Sequence, residues 1–325
     1  MDFTRRELAG PLCLAAAMAP AGRAPGHGAM RGIFIIMTTP YTAAKEVDYE
    51  DLAKQVDYLH RCGVHGMIWP QLGSEVWNLT KEERLRGMEI LSKAAQGKKP
   101  ALVLGVQGPN TAAAVEYLER AEVLAPDALI AIPPREVKTL EEVREYYRTL
   151  ARLTKRPLIV QTTGGARGIN LDAQFVASLA QEFPHCGYVK EEAPPVIERL
   201  RALAKCRPVI QRIYGGADAS ALLYEMRAGS DGNMPNAAYA DIYARIWELY
   251  QSGDRQRARD LYSKTLLLTN LRQQIPATPL YIMQKRGVFK TVVSRQREMR
   301  LTAEEIQEIE FNFEALRPHL RVSSG

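Results

Sequence analysis

From Gly32 onward, short apolar runs alternate with amphipathic stretches at a regular spacing. The runs are Gly32 to Met37, Gly66 to Trp69, Ala101 to Gly105, Ala128 to Ile132, Leu158 to Gln161, Gly187 to Lys190, Val209 to Arg212 and a weak eighth at Gly232 to Pro235. Each has consecutive apolar positions, with polar residues chiefly at the C-terminal end, and is too short for a helix, as strands buried on both faces are. The stretches between them carry helix-start signals, because a side-chain oxygen at that point accepts an otherwise unpaired amide of the first turn. Asp48 heads Tyr49 to Arg61, Thr80 stands three residues before Glu83 as a capping box, and Asn110 heads Thr111 to Leu124. Thr139 stands with Glu142, Asn170 or Asp172 precedes Phe175 to Glu182, Pro195 precedes Ile197 to Ala204, and Asp218 precedes Ala221 to Arg227. Strand-helix units of roughly 25 to 35 residues predict a parallel sheet with helices outside it. Eight units predict an α/β fold of the closed (β/α)8 TIM barrel type rather than an open doubly wound sheet. Thr38-Thr39-Pro40 follows the first run, where a dinucleotide-binding sheet would carry its glycine-rich turn. Beyond the eighth unit, Ala238 to Tyr250, Arg255 to Asn270, Pro279 to Lys285 and Thr302 to Arg317 read as helices with no strand between them. The barrel is therefore placed at residues 31–237 and a C-terminal helical extension at 238–325.

Residues 1–30 differ in kind. Thr4-Arg5-Arg6 precedes an apolar stretch from Leu8 to Ala19, and Ala19-Pro20-Ala21 supplies small residues for cleavage. This pattern resembles a twin-arginine export signal followed by a linker, which places the mature protein in the periplasm or outside the cell, or in the cytoplasm if the signal does not function. Removal of residues 1–21 takes Cys13 and leaves Cys62, Cys186 and Cys206, an odd set with no CxxC pair and no zinc-ligand spacing to histidine. No apolar run approaches the roughly 20 residues of a membrane-spanning helix, so no membrane partner is expected. The 43 Lys and Arg stand against 37 Asp and Glu, a net charge of +6 scattered among acidic residues, with no aromatic-laced basic stripe for nucleic acid.

Chemistry in such barrels sits where the strands end at their C-termini. Those ends bring up Thr38 and Thr39, Gly73-Ser74-Glu75, Pro133 and Arg135, Gln161 to Thr163, Lys190-Glu191, Arg212 to Gly216, and Met234 to Asn236. Lys190 stands out: alternation from Tyr188 puts it on the opposite face from Val189. On an inward face a lysine is desolvated, which favours the neutral amine that condenses with ketones. Pairing with Glu191 is the ordinary use of such a lysine, although alternation directs Glu191 away from it. His60, His65 and His185 fall at the other end of the barrel and receive no catalytic role.

Three stretches in order resemble the dihydrodipicolinate synthase and N-acetylneuraminate lyase family. They are Gly73-Ser74-Glu75 with Leu79-Thr80 and Glu83, Tyr188 to Glu191, and Gly216 to Ala221 leading into Ala228 to Gly232. The resemblance spans about residues 31–320. It implies a barrel enzyme with a C-terminal helical appendage, a dimer or tetramer of one chain, that forms a Schiff base between Lys190 and pyruvate or another 2-oxo acid without metal or organic cofactor. It also implies a carboxylate-binding loop after the second strand, here Gln71-Leu72-Gly73-Ser74-Glu75, in which Ser74 is the only hydroxyl, either a substrate contact or merely an N-terminal cap, and the loop amides remain available. In strand five the family's proton-relaying tyrosine is replaced by Gln161, which is no acid or base but can orient water or a substrate hydroxyl. Tyr214, Tyr188, Tyr41 or a water is left as the proton shuttle. Thr162, Arg167 in the loop after strand five, Tyr214 and Met234 complete the expected substrate contacts, with Met234 narrowing the pocket.

The divergence around Lys190 points to a lyase acting on a sugar-derived 2-oxo acid, by dehydration or by aldol cleavage or condensation, rather than to dihydrodipicolinate synthesis. The alternative from another class is a non-catalytic ketoacid-binding barrel that kept the lysine and lost turnover. A phosphate-sugar barrel is hinted at only by Gly215-Gly216 and leaves Lys190 unexplained.

Overall fold

A computed structural model describes residues 30–322. The segment expected to be an export signal and linker, apart from its final residue, Met30, lies outside the described residues.

The order is β1 (Gly32–Ile36), α1 (Tyr49–Cys62), β2 (Gly66–Trp69), α2 (Lys81–Ala94), β3 (Ala101–Gly105), α3 (Thr111–Leu124), β4 (Ala128–Ala131) and α4 (Leu140–Leu153). There follow β5 (Leu158–Gln161), α5 (Ala173–Glu182), β6 (Tyr188–Lys190), α6 (Val196–Lys205), β7 (Arg212–Gly215), α7 (Leu222–Ala228), β8 (Gly232–Asn233) and α8 (Ala240–Gln251). Every neighbouring pair of strands is parallel, and β1 pairs with both β2 and β8, so the sheet closes into the expected barrel. Three further helices, α9 (Arg255–Gln274), α10 (Thr278–Lys285) and α11 (Ala303–Glu314), follow.

The strands read as continuously apolar because both faces are buried. Phe34, Ile36, Ile68, Val103, Ile130, Ile159, Tyr188, Tyr214 and Met234 fill the barrel interior, while Ile35, Met67, Leu104, Leu129, Val160, Val189 and Ile213 meet the helices. Phe34 pairs with Gly66, and a Cβ at Gly66 would come within 2.1 Å of the Phe34 ring. Gly66→Ala is therefore expected to overpack the barrel interior and cost about 1–3 kcal/mol, read as a lower urea midpoint at unchanged slope.

The helix starts are those the sequence marks: Asp48, Thr80, Asn110, Thr139 and Asp172 each accept an amide three residues on, and Asp172 rather than Asn170 heads α5. Two expectations shift. β7 lies three residues beyond the Val209-Ile210 run, because Ile210 is a fully buried loop anchor while Ile213 and Tyr214 pair with Val189 and Lys190. A short apolar run does not by itself separate a strand from a buried loop. Asp218 does not cap α7. It sits in a left-handed turn, with φ of 45, 56 and 59° at Ala217, Asp218 and Ala219, where it accepts the Asn236 amide at 3.1 Å and pairs with Arg272 of α9.

The boundary at residue 237 also shifts, since α8 packs on α1 and β1 and completes the ring of barrel helices. With no strand after it, its amphipathic pattern reads the same as that of an appended helix. The extension proper begins with α9. It is tied down by Arg286 at the end of α10, which is fully buried and bidentate to Asp241 of α8 at 2.8 and 2.6 Å. Arg286 also donates to the carbonyls of Ala238 and Val322, and Asp241 accepts the Arg321 amide at 2.9 Å.

Candidate active site

Lys190 ends β6 on the inner face, two residues above Tyr188, and is 4% exposed. Its Nζ lies 3.1 Å from Oε2 of Glu192. Four groups, counting Lys190, converge on that carboxylate: Oε2 accepts from Gln161 Nε2 at the end of β5 at 3.5 Å and from Thr163 Oγ1 just beyond it at 3.1 Å, and Oε1 accepts the Ala217 amide at 2.7 Å after β7. Gly216 makes room, because a Cβ there would come within 2.1 Å of Oε1. Burial alone would raise the Glu192 pKa. The Lys190 ammonium, the Ala217 amide and the Thr163 hydroxyl outweigh burial and hold it below the ordinary carboxylate range.

Glu192 was missed by the sequence reading, which weighed only Glu191 as a partner for the lysine and directed it away from Lys190. The same alternation that relates Tyr188 to Lys190, carried one step further, returns Glu192 to the inner face. Glu191 points outward, 1% exposed, paired with Arg199 at 3.0 Å and accepting the Thr162 hydroxyl and the Ala193 amide, both at 2.7 Å.

Lys190 and Glu192 open into a cavity of about 760 Å³ at the C-terminal ends of the strands, and Gly73, Glu75 and Met234 line it with them. The other expected residues fall outside it. Gln161 is fully buried beside the ion pair, and its Oε1 has no partner among the described residues. Ser74 is a structural cap: its hydroxyl donates to the Met37 carbonyl and accepts the Gln71 amide at 3.0 Å. Thr162 spends its hydroxyl on Glu191. Arg167 is exposed and lines a neighbouring cavity with Pro133, Arg135 and Gly164.

The tyrosines expected as proton shuttles stand elsewhere. Tyr214 points to the opposite end of the barrel, its hydroxyl donating to the Met30 carbonyl at 2.9 Å and its ring edge-on to Phe34, and burial pushes its phenol well above the ordinary value. A two-residue periodicity places a side chain inside the barrel but does not say toward which end it leans. Tyr188 lines a cavity at that same far end, beside His185. Tyr41 packs under the Arg295 guanidinium, 4.8 Å from the ring centroid, and burial raises its pKa too.

The extension roofs the mouth. Glu75, expected at the substrate, accepts from Ser294 Oγ at 2.5 Å and from the Arg295 and Gln296 amides, both at 3.0 Å, fastening that segment over the barrel. Arg295 in turn is bidentate to Glu83 at 2.7 and 2.6 Å. Thr269, Asn270 and Gln273 of α9 form the opposite wall. Among the described residues no three His, Cys, Asp or Glu side chains converge as metal ligands.

A model of the dihydrodipicolinate synthetase family matches residues 29–315. The 4-hydroxy-tetrahydrodipicolinate synthase of Parabacteroides distasonis is 27% identical over 236 residues, which cover 72% of this chain and 78% of that protein. The L-2-keto-3-deoxyarabonate dehydratase of Azospirillum brasilense is 27% identical over 266 residues, 80% of this chain and 85% of that protein. The crystal structure of dihydrodipicolinate synthase from Rhodopseudomonas palustris has the same fold, with a TM-score of 0.81 at 20% identity, covering 90% of this chain and 99% of that one. With the closed barrel, the inward lysine ending β6 and a family match over nearly the whole of the described chain, the protein belongs to the dihydrodipicolinate synthetase family.

Proposed function

We propose that the protein is a Schiff-base lyase in which Lys190 condenses with the ketone of a sugar-derived 2-oxo acid, and which then eliminates water or cleaves a carbon-carbon bond. The observation that carries this reading is the buried Lys190 amine, ion-paired and facing a cavity of about 760 Å³ at the catalytic end of the barrel. Attack of the amine on C2 and loss of water give an iminium, an electron sink for the bonds at C3. Loss of a C3 proton then gives an enamine that expels a hydroxyl from C4. Alternatively, loss of the C4 hydroxyl proton breaks the C3–C4 bond and leaves its electron pair in the enamine.

The amides of Leu72 and Gly73, on the cavity wall, are proposed to receive the C1 carboxylate in place of the hydroxyl that Ser74 does not supply. Met234 limits the pocket from within the barrel. The preference for a sugar acid rests on the lining, where Thr38, Ser220, Asn270 and Gln273 supply hydroxyls and amides for a polyol chain. Similarity to the Azospirillum dehydratase supports it, and Gln161 in strand five argues against dihydrodipicolinate synthesis. A barrel that only binds is not favoured, since the curated relatives are named for synthase, dehydratase and aldolase activities. Assembly into a dimer or tetramer and export through residues 1–30 belong to the same proposal.

Incubation with a panel of five- and six-carbon 2-oxo-3-deoxy sugar acids, followed by product NMR, tests it. Either a dehydrated acid that keeps every carbon or pyruvate plus an aldehyde is expected. Turnover of none of the panel, with condensation of pyruvate and aspartate semialdehyde instead, would overturn the substrate class.

A further inference from the structure

Iminium formation needs a proton carrier, and the barrel mouth has neither tyrosine nor histidine among its described lining residues. Of the carboxylates there, Glu75 is committed to the segment from Ser294 to Gln296, and Asp218 to Arg272 and Asn236. Glu192 alone among the described residues forms an ion pair with Nζ of Lys190. We propose that Glu192 is the catalytic acid and base that carries the proton in forming and hydrolysing the Lys190 iminium. The inference rests on the Schiff-base reading above.

The Lys190 ammonium gives one proton to Glu192 Oε2, leaving a neutral amine beside a carboxylic acid. The amine nitrogen bonds to C2 of the oxo acid and the carbonyl π pair moves to oxygen. Glu192 protonates that oxygen and takes the proton now in excess on nitrogen, giving a neutral carbinolamine. Glu192 then protonates the hydroxyl, water leaves, and the nitrogen lone pair forms the iminium. The carboxylate is restored, and the net change is ammonium plus ketone to iminium plus water. Hydrolysis runs the same steps in reverse.

The surroundings suit this role. The Ala217 amide fixes Oε1 at 2.7 Å, so the carboxylate cannot swing away while Oε2 faces the amine. The attraction that keeps Glu192 ionised comes largely from the ammonium itself. Once the amine is neutral that attraction is gone, and the acid holds its proton until the carbinolamine needs it. Gln161 Nε2 approaches Oε2 at 3.5 Å and adds a donor to the same carboxylate oxygen.

The test is the rate at which borohydride-trappable adduct appears on Lys190 with pyruvate, by rapid quench, in wild type, Glu192→Gln, Glu192→Asp and Glu192→Ala, with circular dichroism confirming each fold. Glu192→Gln is expected to slow adduct formation about 100-fold or more while the final yield approaches wild type. Glu192→Asp should retain an intermediate rate, and formate should accelerate Glu192→Ala in proportion to its concentration, which a purely structural role would not produce. Adduct formation by Glu192→Gln within twofold of the wild-type rate, or no effect of formate, would overturn the role of Glu192 and leave the Schiff base standing. Absence of adduct from the wild type at all times would instead defeat the Schiff-base reading, and the relay with it.

Discussion

Lys190→Ala is expected to lower turnover by about 10⁴-fold or more, the scale on which loss of a covalent nucleophile is felt. No other lysine lines the cavity among the described residues, so no neighbouring amine stands ready to substitute. The same change has a second, pH-dependent signature. In the wild type the Glu192 carboxyl is held below its ordinary value of 4.5, despite burial, chiefly by the Lys190 ammonium and with help from Ala217 and Thr163. A lowered folded-state pKa contributes stability that is present above the ordinary value and is lost as pH falls through the lowered one. Without the ammonium, most of that contribution is gone. The stability gap between wild type and Lys190→Ala should therefore be largest at neutral pH and close as the solution is acidified through the carboxylate range. Urea melts of both proteins from neutral pH to pH 3 read this directly, and a gap that widens toward low pH would contradict the ion pair.

The largest loss of stability is expected not at the active site but at Asp241→Asn. Asp241 and Arg286 are both fully buried and joined by two parallel hydrogen bonds. The Arg286 guanidinium also stands over the Tyr58 ring, 4.9 Å from its centroid. A guanidinium keeps its proton across the accessible pH range, so Arg286 stays charged when its partner is neutralised. An uncompensated buried charge costs about 3–5 kcal/mol. Since Asp241 also accepts the amides of Arg321 and Val322, the end of the chain should loosen with it. The expected result is a urea midpoint lowered by that amount, faster proteolysis near residue 320, and nearly unchanged turnover per folded molecule. A loss under 1 kcal/mol would mean that the clasp is dispensable.

Lys190→Ala and Asp241→Asn separate chemistry from architecture, and the two differ in how plainly the sequence announces them. The barrel is legible because burial on both faces writes eight short apolar runs, and because caps such as Thr80 with Glu83 mark where helices begin. β7 was misplaced since Val209-Ile210 and Ile213-Tyr214 are equally apolar, and only pairing with β6 decides between them. The end of the barrel was set before α8 because nothing in an amphipathic helix says which partner it faces. At the site, alternation correctly put Lys190 inside. The motif resemblance found the loop around Gly73, yet Ser74 and Tyr214 were assigned by residue type, and their hydroxyls are used by the Met37 and Met30 carbonyls. Those hydrogen bonds join residues 37 and 184 positions apart, which no local pattern encodes. Glu192, in contrast, was within reach of the alternation already in use. The Asp241 and Arg286 clasp, 45 residues apart in sequence, was not.

The central claim is that Lys190 is the residue that bonds to substrate. Incubation with pyruvate and borohydride followed by intact and peptide mass spectrometry tests it most directly, with Lys190→Ala as the control. A single reduced pyruvyl adduct located on Lys190 and missing from the variant is the expected result. No adduct in folded wild-type protein with pyruvate or a panel of other 2-oxo acids, or an adduct confined to other lysines, would contradict it.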